Sequence, residues 1–230
     1  MNSDEEITRA VEGETDVSPL LPADYIQTPP HRFDFSKDNP DIQSVDVMSA
    51  GSLQTYVRAA LRKAGRTWGL GGYGEDRFFY RSSELFKKGD EYRTVHLGID
   101  IWLPAGTPLY APLSGIIRSA QDNAHFLDYG PTIILEHDIG GVRFFSLYGH
   151  LGRASIRTRE AGQRIASGEQ LGVVGTQLEN GSWAPHLHLQ IMNDMLGNAG
   201  DFPGVAAPSE REFYLQHCPD PEVLLSRFLV

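Results

Sequence analysis

Six short runs between residues 92 and 192 decide the fold: HLGIDIWL (96–103), PLYAPLSGIIRSA (108–120), GPTIILEH (130–137), GVRFFSLYGHL (141–151), QRIASGEQLGVVG (163–175) and PHLHLQIM (185–192). They are rich in β-branched and aromatic residues and bounded by turn residues, which is the pattern of strands. Asp138-Ile139-Gly140-Gly141 lies between two of them and reads as a hairpin turn. Gly162, Gly168, Gly172 and Gly175 punctuate the later runs. Strands at this spacing predict a mainly β domain built as an antiparallel sheet, barrel or sandwich.

Upstream, Leu53, Val57, Ala60, Leu61 and Ala64 recur at helical spacing between Val47 and Thr67, and Gly65 stops the run. This predicts one amphipathic helix. The next stretch, GLGGYG (69–74), matches G-x-G-x-x-G, but a helix precedes it and EDRFFYRSS follows. A dinucleotide site needs a strand before the glycines and a helix after them, so the stretch reads as a flexible loop. The expected division is an acidic, proline-containing extended arm (1–45), a helix and loop segment packing on the body (46–90), the β domain (91–195), and a C-terminal loop and helix (196–230). That last helix is expected to start at Pro221.

The chain has 230 residues, of which 40% are hydrophobic and 22% charged, as in ordinary globular proteins. Its net charge of −10 disfavours a nucleic-acid partner. Seven acids and one base lie between Met1 and Asp24, so the acidity is concentrated in the arm. No apolar run reaches the length of a membrane span. The single cysteine, Cys218, rules out an internal disulfide. The first residues show neither a basic nor an apolar signal region, which favours a cytoplasmic protein. A periplasmic or extracellular location would apply if a longer precursor begins before this chain.

Three histidine arrangements fall inside the strand-rich region. In H96-L-G-I-D100, residues i and i+4 of an extended chain share a face, so an imidazole and a carboxylate project together. In His186-Leu187-His188 the two rings share a face by the same alternation. His150 closes the strand after the hairpin. Two imidazoles and one carboxylate, with a fourth position for water, are the ligand set of a catalytic zinc site; zinc fits these donors best, and manganese, cobalt and iron accept the same ligand types. His31, His125, His137 and His217 have no such arrangement and stay unassigned.

HLGID, YGHL and PHLHLQ, in this order, resemble the LytM-type zinc endopeptidases of peptidase family M23 over roughly Arg93 to Met192. The resemblance implies a two-sheet antiparallel β-sandwich or barrel-like fold, the duplicated hybrid motif, with the metal in a groove. It implies one Zn2+ per chain held by His96, Asp100 and His188, with His150 and His186 assisting catalysis. The implied activity is hydrolysis of peptide bonds by a metal-activated water, in a peptide or a peptidoglycan fragment. No H-E-x-x-H supplies a glutamate base, and a histidine is the natural substitute because it titrates near neutrality. Glu75, Asp76, Tyr73 and Tyr80 are oxygens that could reach an open metal position and make the preceding segment inhibitory.

Two other classes deserve comparison. A non-catalytic zinc-binding regulatory or interaction module would share the fold, but such members typically lose ligands and all five residues are present here. The β pattern also resembles sugar-phosphotransferase IIA domains, in which one histidine carries phosphate. That reading leaves Asp100 and three further histidines without a role.

Overall fold

Eight strands form the main sheet: β1 (His31–Phe33), β2 (Gly69–Gly71), β3 (Ile99–Trp102), β4 (Gly115–Asn123), β5 (Gly130–Ile139), β6 (Val142–Gly149), β7 (Arg164–Ile165) and β8 (His186–Met192). In this computed structural model, which describes residues 3–46, 49 and 51–229, their order is β1-β2-β3-β8-β6-β5-β4-β7. All neighbours are antiparallel except β1 and β2, which run parallel. Two-stranded ribbons join Pro108–Tyr110 to Gln170–Val173, Val95–His96 to Val205–Ala206, and Lys87–Lys88 to Glu91–Tyr92. The protein is mainly β, as expected. Ile139 pairs with Val142 across the anticipated hairpin, and Gly140 and Gly141 both take positive φ, as a tight two-residue turn requires.

Strand alternation divides the buried residues between two sides of the sheet. Ile99 and Ile101 of β3 and Leu187, Leu189 and Ile191 of β8 enter one apolar core with Ile133, Leu135 and Phe144. The intervening Asp100, Trp102, His186 and His188 are buried too, but on the opposite face. There Phe33, Phe35, Phe79, Tyr80, Phe86 and Trp183 build a second, aromatic cluster around Trp102.

The flanking segments depart from the sequence reading at three places. The acidic arm begins with a helix, Ser3–Gly13, whose Ile7 and Val11 insert into the main core. Asp4, Glu5 and Glu6 occupy its first turn, where the helix dipole favours negative charge. Gly69–Gly71 is a strand, not a flexible loop, and the glycine is steric: a Cβ at Gly69 would lie 2.5 Å from the Phe33 ring and 2.6 Å from the His31 carbonyl oxygen. The C-terminal α-helix is Arg211–His217, whereas Pro221–Leu224 and Ser226–Phe228 are short 3-10 turns. The amphipathic helix spans Ser52–Ala64, buries Leu53 and Val57, and ends at Gly65 with φ 63°. Residues 47, 48 and 50 of the stretch read as helical lie outside the described residues.

One unassigned histidine has a structural task. His137 donates from Nδ1 to the Ser114 carbonyl (2.8 Å), while its Nε2 faces Ser146 Oγ at 2.7 Å. Burial pushes its pKa down to about 4 from 6.5. The unfolded chain therefore takes up a proton below pH 6.5 that the folded chain refuses until about pH 4. Stability is intact above that window and falls as pH drops through it, by up to about 3 kcal/mol. Urea unfolding at pH 7 and pH 4.5 should show this loss in the native protein and a smaller one in His137→Gln. An equal loss in both would assign the acid sensitivity elsewhere.

Candidate metal centre and active site

Adjacent antiparallel strands assemble the centre. In the register of β3 with β8, His188 lies opposite Asp100 and His186 opposite Trp102. His96 enters from the short strand just before β3. The glycine of HLGID is part of this geometry, because a Cβ on Gly98 would sit 2.8 Å from His188 Nε2 and 2.5 Å from the Leu189 carbonyl oxygen. Only a residue without a side chain lets the His188 ring lie there.

Three donor atoms converge. His96 Nε2 is 3.0 Å from His188 Nδ1 and 3.2 Å from Asp100 Oδ1, and His188 Nδ1 is 3.3 Å from that same oxygen. The opposite ring nitrogens settle where the protons are. His96 Nδ1 lies 3.0 Å from the Gly72 carbonyl, which can only accept, so Nδ1 carries the hydrogen. Gln190 donates its amide to the Pro203 carbonyl (3.1 Å), which turns its oxygen towards His188 Nε2 at 2.9 Å. That nitrogen is then the donor as well. The two nitrogens facing each other and the Asp100 oxygen are therefore three acceptors with no hydrogen between them.

Electrostatics keeps His96 and Asp100 so. Burial, reinforced by the Arg77 charge, lowers the His96 pKa to about 4, so its ring is neutral near pH 7. Burial alone would raise the Asp100 carboxyl, but the Arg77 guanidinium beside it holds it well below the usual carboxylate range. Three lone pairs at this spacing repel unless a cation lies among them. Zinc at its usual nitrogen and oxygen distances sets tetrahedral ligand atoms roughly 3.3 Å apart, and these three atoms fit. Carbonyl and amide partners on the far nitrogens are the supports that metal-binding histidines need.

His150 and His186 stand beside this triad with ring centroids 4.3 Å apart. His150 Nδ1 donates to the Asn180 carbonyl (3.0 Å) and His186 Nδ1 to the Ala184 carbonyl (2.7 Å), which leaves each Nε2 as a free acceptor. Burial lowers both pKa values. The His186 ring stacks on Trp102 at 4.4 Å, and its Nε2 is 3.6 Å from Asp100 Oδ1. His150 has φ 63°, a left-handed conformation uncommon outside glycine, and its backbone is tied to Tyr129 and Gly175. Both rings, with Asp100 and His188, line a cavity of about 320 Å³ walled by Phe79, Phe86, Trp183 and Phe202.

The structure thus brings together all five histidine and aspartate residues singled out from sequence. It does not bring three of the four suggested oxygens to the metal position. Glu75 accepts from Arg77 Nε (2.8 Å) and Phe35 N (2.8 Å), Asp76 pairs with Lys37 (3.1 Å), and the Tyr73 hydroxyl donates to the Cys218 carbonyl (2.5 Å). Only Tyr80 lines the cavity, beside Arg77. Sequence reasoning missed Arg77, whose Nη1 is 2.5 Å from Asp100 Oδ2, and Gln190. The second was within reach, since alternation places residue 190 on the face of His186 and His188.

Within this mainly β fold, a buried His-Asp-His cluster that could hold a metal ion lies beside two free imidazoles at a groove. Residues 94–200 match peptidase family M23, and this part of the chain is an M23 peptidase domain. The peptidoglycan DD-endopeptidase ShyA of Vibrio cholerae is 22% identical, over 67% of this chain and 36% of its own length. The chain thus spans about a third of that relative. A zinc-containing peptidase from Vibrio cholerae is 21% identical, with a TM-score of 0.36 over 49% of this chain and 29% of that one. The catalytic domain of the antimicrobial peptidase lysostaphin from Staphylococcus simulans is 26% identical, with a TM-score of 0.38 over 59% of this chain and 96% of that one.

Proposed function

We propose that this protein is a zinc-dependent endopeptidase, with peptide bonds of peptidoglycan-derived peptides as its substrate class. The observation that carries the reading is the convergence of three proton-free acceptors, His96 Nε2, His188 Nδ1 and Asp100 Oδ1, beside two further free imidazole nitrogens. The substrate class draws on the name of the ShyA relative. When bound, zinc supplies Lewis acidity and makes water acidic enough to attack near neutral pH.

The chain's own residues do the rest. His150 and His186, neutral and anchored through Nδ1, each offer an Nε2 that can take the proton of the attacking water and return it to the leaving amine. Protonated, either ring is also a donor to the oxyanion that develops on the scissile carbonyl. The aromatic walls exclude bulk water and give an extended peptide an apolar surface to lie on. Two measurements test the proposal: elemental analysis of the freshly purified protein, and mass spectrometry of a peptidoglycan digest and a peptide library after incubation. About one zinc per chain and new peptide termini are expected. A protein that neither holds nor takes up zinc overturns the metal, and a zinc-loaded protein that cleaves nothing overturns the peptidase in favour of a binding module.

A further inference from the structure

We infer that Arg77, delivered by the segment preceding the M23 domain, is a positioning residue of the metal centre that holds Asp100 as a one-oxygen ligand. The inference rests on the metal site proposed above, though not on the peptide substrate. The two oxygens of Asp100 are divided between two tasks. Oδ1 faces His96 Nε2 and His188 Nδ1, whereas Oδ2 receives Arg77 Nη1 at 2.5 Å. A carboxylate without such a partner can turn and offer both oxygens to a cation. With Oδ2 occupied, one donor remains, which keeps three protein ligands and an open position for water.

Arg77 is itself rigidly held. It is 1% exposed, Nε donates to Glu75 Oε2 (2.8 Å), Nη2 lies 3.4 Å from the Gly72 carbonyl, and the guanidinium sits over Phe35 at 5.3 Å and Phe79 at 5.8 Å. Glu75 is fixed in turn by the Phe35 amide. Charge explains the pair. An arginine alone beside a divalent cation would oppose its binding, but Glu75 cancels the added charge, so Arg77 supplies geometry without electrostatic cost to the metal. The GLGGYG stretch finds its role here. A Cβ on Gly71 would lie 3.0 Å from Arg77 Nη2, and β2 lies alongside β3 with Gly71 opposite Asp100. The Gly72 carbonyl also orients His96. Two of the three candidate ligands are therefore supported from residues 72–77, outside the region 94–200 that matches the family.

The test uses the full chain carrying Arg77→Met, Arg77→Lys or Glu75→Gln, with two readouts that need no substrate. One is competition with a chromophoric chelator for zinc, and the other is the visible absorption of the cobalt(II)-substituted protein, which is intense for four-coordinate cobalt and weak at higher coordination. Arg77→Met should lose cobalt absorption as Asp100 adds its second oxygen, and its zinc affinity should depart from native by about tenfold or more. Arg77→Lys should recover part of that intensity, since an ammonium can still occupy Oδ2. Glu75→Gln should shift both readouts in the same direction by less, and it decides the matter if Arg77→Met does not fold. Folded variants with native zinc affinity and native cobalt spectrum overturn the inference. Failure of the native protein to bind zinc would instead sink the metal site itself.

Discussion

Alanine at His150 or His186 should lower peptide hydrolysis by roughly 10²–10⁴-fold, the range for loss of a positioned acid–base group, while zinc stays bound. The reason is geometric. The three acceptors that converge belong to His96, Asp100 and His188, and all lie within 4.8 Å of one another. His150 is not among them, and the free Nε2 of His186 approaches Asp100 Oδ1 at 3.6 Å without joining the cluster. Both rings are anchored by backbone carbonyls and line the cavity, so on the proposed mechanism their removal takes away proton transfer and oxyanion donation but no ligand. Zinc content and kcat measured on the same preparation check this. A loss of zinc in His150→Ala would show that the roles are assigned wrongly.

His188→Ala should abolish zinc uptake, lowering metal content from about one per chain to near zero, because two remaining ligands seldom hold zinc against water. Asp100→Ala should do the same and strip Arg77 of one of its two carboxylate partners in a buried site, which is strongly destabilising. The cleaner variant is therefore His188→Ala. Its neighbours Asp100, His96 and Arg77 keep their other contacts, so the chain should fold and the loss should be one of metal. Elemental analysis after dialysis against a zinc-buffered solution, with circular dichroism as the control for folding, decides it. A folded His188→Ala protein that retains its zinc would place the metal elsewhere.

The chemistry in the strands was legible because it is local. In an extended chain, residues two and four apart share a face whatever the rest of the protein does. That rule alone puts His96 with Asp100 and His186 with His188, and it separates them from Leu187, Leu189 and Ile191, which fill the core. The hairpin at Gly140-Gly141 was legible for a similar reason, since positive φ at both positions is affordable only to a few residues. The helix Ser52–Ala64 followed from its apolar period and its terminal glycine.

What lies outside such local rules came from the tertiary structure. The sequence of Ser3–Gly13 gives no sign of its helix because its apolar residues, Ile7 and Val11, complete a helical face only once the core receives them. GLGGYG looks like a loop in sequence because its strand, Gly69–Gly71, has one side chain, Leu70, and so no alternation to betray it. Its neighbours, the Phe33 ring on one side and the Arg77 guanidinium on the other, come from distant parts of the chain. Arg77 itself precedes Asp100 by 23 residues, and nothing in EDRFFYRSS marks it. The sequence determined which side chains stand together on each strand, since backbone geometry alone dictates that. Which strands lie side by side, and therefore which guanidinium reaches which carboxylate, was decided only by long-range packing, for which no sequence period exists.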